Sequence, residues 1–227
     1  MNRSVERPRL LDLFCGAGGA AMGYYRAGFD VVGVDIDPQP HYPFEFHQTD
    51  AFEYGAAHGK EFDVIHASPP CQGYSRMRHL PWLRDRNYPM LIDPVRELLI
   101  SSGKTWVIEN VSDSPLQGAV LCGMALGLSL IRHRRFESSH LILFPPCPGH
   151  PVINKTIIKG RTMGHAREGG VMGVLKGFDA RSAMGIDWMS LREMRQAIPP
   201  AYTEFIGKRL KQVLVGEVRN ETYLIFS

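Results

Sequence analysis

Short apolar runs alternate with amphipathic stretches along the first half of the chain. Leu10–Phe14, Val31–Val34, Phe62–Ala67 and Thr105–Ile108 are brief, mostly aliphatic segments bounded by polar residues, Gly or Pro. Runs of that length predict buried strands. Ala20–Ala27 and Leu91–Ser101 have helical character and are closed by Gly28 and Gly103, the residue type that ends helices most readily. Strands alternating with helices predict an α/β fold, a parallel sheet with helices on both faces. Chemically distinctive residues gather just past the strand ends: Cys15–Gly19, Asp35 with Asp37, Ser68–Pro70, and Glu109-Asn110. That carboxyl edge is where open α/β sheets bind ligands. From Ser138 to Gly177 the pattern dissolves into a Gly- and Pro-rich stretch that reads as loops and short strands. A helix is predicted at Ser190–Gln196, a break at Pro199-Pro200, a helix to about Leu214, and a last strand at Glu217–Phe226.

Composition narrows this only slightly. The chain has 227 residues, 44% hydrophobic and 22% charged, which excludes disordered and fibrous classes. It lacks the run of about 18 apolar residues that a membrane span needs. Met1–Pro8 has no apolar core of signal-peptide type, so a cytoplasmic protein is expected. Four scattered cysteines, Cys15, Cys71, Cys122 and Cys147, suit a reducing compartment. The net charge of +3 looks mild, yet Gln72–Tyr88 alone sums to +3, from Arg76, Arg78, Arg84 and Arg86 against Asp85. A concentrated basic segment beside a ligand edge predicts a loop that closes over a polyanion.

Three motifs carry the chemistry. In Asp12–Gly19, glycines at a strand-to-helix turn let a ligand approach the backbone and the free N–H groups of the helix start. Asp35, at the next strand end, suits the hydroxyls of a ribose; both a nicotinamide-dinucleotide and an adenosyl ligand fit these two features. In Ser68-Pro69-Pro70-Cys71-Gln72, two prolines hold a cysteine at the ligand edge, where it is placed to act as a nucleophile. Glu109-Asn110-Val111 ends the next strand; if the two strands are neighbours, Glu109 lies beside Cys71 as a proton donor. Further on, alternation through Arg132, Arg134 and Phe136 puts all three on one side of an extended segment.

Together these residues resemble the cytosine-C5 methyltransferase family of DNA methylases. Phe14–Gly19, Ser68–Gln72 and Glu109–Val111 resemble its first, fourth and sixth motifs, in order. Arg132-His133-Arg134 resembles the eighth, Gln-x-Arg-x-Arg, with Leu130 in place of the glutamine. Ala183–Ile186 is similar to the ninth, and Gln196–Pro200 to the tenth, with Arg195 and Gln196 replacing the usual Gly-Asn. The resemblance implies a Rossmann-like class I S-adenosylmethionine-dependent methyltransferase sheet with a reduced target-recognition region. It implies S-adenosylmethionine as methyl donor, S-adenosylhomocysteine as product and double-stranded DNA as partner. Phe14, Cys15, Gly16, Ala17, Gly18 and Gly19 would surround the donor, with Pro69 and Gln196 nearby. Asp35 would bind its ribose, Ile36 would pack on its adenine, and Asp50 with Ala51 would meet the adenine amino group. Cys71 would attack C6 of a flipped-out cytosine. Glu109 would hydrogen-bond at N3, Asn110 would shape the site, and Arg132 and Arg134 would support the base carbonyl. Gln72, Ser75, Arg76, Arg78, Arg84 and Arg86 would contact nucleic acid from the closing loop.

The resemblance also implies a division of the chain: a catalytic core at 1–137, target recognition at 138–177, and a returning segment at 178–227. The recognition region offers Lys155, Lys159, Arg161, His165, Arg167 and Lys176 and spans only 40 residues. That predicts a short or relaxed target site, or a second copy or partner that adds recognition; a monomer or weak dimer is expected. A tRNA methyltransferase with the same chemistry, a nicotinamide-dependent dehydrogenase and a non-catalytic nucleic-acid binder are the alternatives. Cys147, His150 and His165 lack a Cys-x-x-Cys partner, so they are read as structural and no metal is expected.

Overall fold

The structure, a computed structural model, describes residues 7–75, 87–150 and 177–214, together with 156–158, 161–163, 174, 175 and 216. Its centre is a seven-stranded sheet in the order β3-β2-β1-β4-β5-β7-β6. The strands are β1 (Arg9–Leu13), β2 (Asp30–Asp35), β3 (Glu45–Gln48), β4 (Val64–Ala67), β5 (Thr105–Val111), β6 (Ala119–Cys122) and β7 (His133–Ser138). The five from β3 to β5 are parallel; β7 runs antiparallel to both β5 and β6. Strands β8 (Thr156–Ile158) and β9 (Arg161–Met163) form a separate antiparallel pair.

Successive side chains of a strand point to opposite faces, and the two apolar clusters follow that rule. Leu10, Val31, Val64 and Val107 pack against α1 (Gly19–Ala27) and α6 (Pro200–Leu214). Leu11, Leu13, Val32, Val34, Ile65 and Ile108 pack against α2 (Ala51–His58) and α3 (Ile92–Ser102). The short helices α4 (Ala180–Met184) and α5 (Leu191–Gln196) supply a third cluster, where Met184, Ile186, Met189 and Met194 pack with Ala17 of the Gly loop. The expected α/β sheet with helices on both faces is present.

Three local differences from the sequence reading have physical causes. Phe14 leaves β1 with φ +57°, so the strand ends at Leu13. Glu109 and Asn110 lie within β5 because β7 pairs with it, Glu109 opposite Phe136 and Asn110 opposite Arg135. The sequence also hides β3 and α2. β3 is a short edge strand with polar residues on both sides of its only large apolar one, Phe46. The predicted strand at Glu217–Phe226 lies outside the described residues.

α1 and α6 pack closely enough that glycine is required between them. A Cβ on Gly23 would lie 2.0 Å from Thr203 Oγ1 and 2.1 Å from the Pro200 carbonyl oxygen. Thr203 Oγ1 already donates to the Ala20 carbonyl at 2.8 Å. Gly23→Val is therefore expected to destabilise the fold by about 3 kcal/mol or more through overpacking. Urea denaturation with an unchanged midpoint would show that the helices can separate freely.

Candidate active site

The chain runs outward from β1 through β2 to β3, then returns to place β4 on the other side of β1. This reversal opens a crevice past the carboxyl ends of β1 and β4, the position where such sheets bind ligands. The Gly loop emerges from β1 and the Pro-Pro-Cys segment from β4.

Gly16 and Gly18 have φ of +49° and +83°, a left-handed backbone that other residues adopt only with strain. Among the described residues nothing lies within 4 Å of where a Gly16 Cβ would stand. The Gly16 N–H donates to Asp35 Oδ2 at 2.9 Å, and Asp37 N–H donates to Asp35 Oδ1 at 3.0 Å. Asp35 thus ties the loop to the end of β2. The Trp188 indole N–H donates to the Ala17 carbonyl at 3.0 Å, so the returning segment braces the loop as well. Ile36 is 66% exposed at this edge, an apolar side chain open to a ligand. Asp50 Oδ1 accepts from Phe52 and Glu53 N–H at 2.8 and 3.0 Å, which makes Asp50 the N-cap of α2 and fixes Ala51 at the helix start. Cys15 is buried, and burial raises its thiol far above the usual range, so it is inert. Gln196 is exposed at the end of α5.

Cys71 begins a turn in which its carbonyl accepts from Tyr74 and Ser75 N–H. Asn110 Nδ2 donates to the Pro69 carbonyl at 2.9 Å, while its Oδ1 accepts from Val111 N–H. Asn110 therefore positions the Pro-Pro-Cys segment from the neighbouring strand. β4 and β5 pair in register with Ala67 beside Ile108, which brings Cys71 and Glu109 to the same edge. Glu109 is buried and pairs with the Arg134 guanidinium, Nε to Oε1 at 2.9 Å. Arg134 reaches it because it lies diagonally across the β5–β7 ladder on the same face. Arg135, on the opposite face, holds the carbonyls of Ser112 and Gly118. Arg132 Nη2 donates to the Arg195 carbonyl at 3.0 Å, linking β7 to the end of α5.

The electrostatics are unequal. Burial raises Glu109, opposed by Arg134 and Arg132 and by a hydrogen bond from Ser68. Burial also raises the Cys71 thiol; Arg134 lowers it, Glu109 raises it, and Arg132 lowers it. Burial and then Arg134 push Arg132 down to about 9. Burial thus draws both Glu109 and Cys71 toward their protonated forms, with Arg134 as the largest influence toward the ionised ones.

Sequence reasoning missed what supports Glu109 from below. His66 is buried in β4, with Nδ1 3.0 Å from Tyr24 Oη and Nε2 2.8 Å from Ser68 Oγ. Burial pushes its pKa down to about 3, so the ring is neutral. Tyr24, His66, Ser68 and Glu109 form a continuous polar chain from α1 to the site, with no motif to reveal it.

Gln72 is exposed and Ser75 half-buried after the Cys71 turn. Arg76, Arg78, Arg84, Arg86, Lys155, Lys159, His165, Arg167 and Lys176 lie outside the described residues; of Arg161 only its place in β9 is described. Cys147 and His150, grouped with His165 in the sequence reading, have other company in the structure. Their ligand atoms converge with those of Cys122 and His133, all four within 4.8 Å of one another. Cys122 and His133 come together as partners across a β ladder, which spacing along the chain does not show.

Comparison with known proteins agrees with this geometry. Residues 8–114 match the family of C-5 cytosine-specific DNA methylases, a span that includes the Gly loop, Pro-Pro-Cys and Glu-Asn-Val. The chain is 32% identical over 148 residues to the type II methyltransferase M.XorII of Xanthomonas oryzae, covering 58% of this chain and 31% of the relative. It is 32% identical over 137 residues to M.AgeI of Thalassovita gelatinovora, covering 51% and 31%. The chain thus spans about a third of the length of the curated relatives it matches. The fold extends further than the sequence match. It superposes on a prophage-encoded E. coli protein assigned as a DNA modification methyltransferase with TM-score 0.60 at 18% identity, covering 92% of this chain and 99% of that one. It superposes on the S. pombe Dnmt2 methyltransferase with TM-score 0.54 at 13% identity, covering 94% and 100%. The likeness in fold therefore extends beyond residue 114. Among the described residues no helix is long and apolar enough to cross a membrane.

Proposed function

We propose that this chain transfers a methyl group from S-adenosylmethionine to C5 of cytosine in double-stranded DNA. The observation that carries the reading is the meeting of Cys71 and the Arg134-paired Glu109 at one sheet edge, next to an open Gly loop. The residues present suit the cofactor: a left-handed Gly loop, the Asp35 carboxylate and the exposed Ile36 would hold it. Bound there, it supplies the methyl group.

C5 of cytosine is a poor nucleophile, and the chain's residues would change that. The Cys71 thiolate adds to C6 as the Glu109 carboxyl donates its proton to N3, which leaves an electron-rich C5. After methylation, loss of the C5 proton expels the thiolate, and N3 returns its proton to the Glu109 carboxylate, which restores the ring. The target base is out of reach in a duplex, so it must be flipped out. The Arg-rich segment that follows Cys71 would supply phosphate contacts and close the site. The type II methyltransferase relatives favour a role in restriction–modification.

The test is transfer of radiolabelled methyl groups to duplex DNA in competition with tRNA, followed by sequencing of the methylated cytosines. Label in DNA at C5 of cytosine is the expected result. Label confined to tRNA would reassign the polymer, and no label in either would overturn the reading.

A further inference from the structure

Four soft ligands meet on the far side of β7 from the reacting groups. Cys122 ends β6 and His133 begins β7, and the two are direct cross-strand partners. Cys147 and His150 come from the Pro145–His150 loop, which Gly149 turns with φ +83°. His133 Nε2 lies 3.2 Å from His150 Nε2. Cys147 Sγ lies 3.2 Å from His150 Nε2 and 3.8 Å from His133 Nε2, and Cys122 Sγ lies 3.9 Å from His150 Nε2.

These separations have a simple meaning. Zinc takes thiolate at about 2.3 Å and imidazole at about 2.0–2.1 Å, in tetrahedral geometry, so the edges of such a site measure about 3.3–3.8 Å. The four separations, 3.2, 3.2, 3.8 and 3.9 Å, scatter closely around that range. Both histidines present the same ring nitrogen, Nε2, to the common centre. A Cys2His2 set is the donor chemistry that selects zinc over the oxygen-seeking cations. We propose that Cys122, His133, Cys147 and His150 form a structural zinc site.

Four protein ligands leave no open position, so the ion has no part in methyl transfer. Its work is mechanical. The Pro145–His150 loop lies within the Gly- and Pro-rich stretch that begins at Ser138. Zinc ties that loop to the start of β7, whose next residue, Arg134, holds Glu109. Loop and active-site strand are thereby fixed to one another. His150 Nδ1, 3.4 Å from Met124 Sδ, gives the outer side of the site a soft contact.

The experiment is metal analysis of the untagged chain, purified in reducing buffer without a metal-affinity step. About one zinc per chain is expected in the wild type, with at least a tenfold loss in Cys147→Ala and in His150→Ala. Cys147 is exposed, so its replacement leaves the core packing intact, and circular dichroism checks this. Cobalt added to the chelated wild type should give the intense visible bands of a tetrahedral site together with thiolate charge-transfer bands. Undiminished zinc in both variants, or octahedral cobalt in a folded wild-type chain, would overturn the proposal. So would a wild type that lacks zinc and whose Cys122 and Cys147 form a disulfide in that reducing buffer.

Discussion

Cys71→Ala is expected to reduce methyl transfer to DNA by at least about 10³-fold while S-adenosylmethionine affinity changes by no more than about twofold. The asymmetry follows from placement. Cys71 lies beyond β4 and is set in position by the Asn110 hold on Pro69, whereas the cofactor loop emerges from β1 and is tied to Asp35. Removing the thiol leaves the loop intact. It also leaves no group able to add at C6, without which C5 does not become nucleophilic. Isothermal titration with the cofactor and a methyl-transfer assay separate the two effects. Duplex DNA carrying 5-fluorocytosine gives a second readout. Fluorine at C5 cannot leave as a proton, so the wild type should remain covalently attached and the variant should not. Undiminished transfer by Cys71→Ala would mean that the methylation proceeds without a cysteine adduct.

Arg134→Met is expected to lower the transfer rate on the order of 10²-fold and to move Cys71 alkylation by iodoacetamide toward higher pH. Burial already raises both Cys71 and Glu109, and Arg134 is the largest opposing influence on each. Without it, both groups hold their protons more tightly. The sign is fixed: alkylation follows the thiolate, which forms only as pH rises past the thiol's pKa, so a higher pKa means slower alkylation at any given pH below it. Arg134→Lys should return the alkylation profile most of the way, because the charge is restored. It should recover less of the rate, because an ammonium lacks the planar fork that grips Glu109. Identical pH profiles for the wild type and Arg134→Met would show that Arg134 does not set the thiol's ionisation.

Much of this site is readable in one dimension because its parts are local. Strand, Gly turn and helix follow one another within Arg9–Ala27; strand, Pro-Pro and Cys within Val64–Cys71. Each motif carries its own backbone constraint, so its chemistry and its place at the sheet edge appear together. The alternation through Arg132, Arg134 and Phe136 likewise survives, with Arg134 and Phe136 on the Glu109 side of β7. Residues whose partners come from other elements are not readable this way. Nothing near His66 in sequence shows that Tyr24 and Ser68 will bracket it. Nothing near Asn110 shows that it will grip Pro69. Asp50, assigned to an adenine contact, spends one oxygen capping α2.

By itself, the sequence determined the α/β class and the placing of the Gly loop and the Pro-Pro-Cys segment at strand ends, since periodicity and turn chemistry are properties of short segments. Only the tertiary structure decided which charges act on Cys71, which carbonyl each buried arginine holds, and that Cys122, His133, Cys147 and His150 share one centre. The physical reason is pairing. A β ladder makes neighbours of residues ten or more positions apart, here Cys122 with His133, and a loop return adds the second pair. Spacing along the chain carries no record of either.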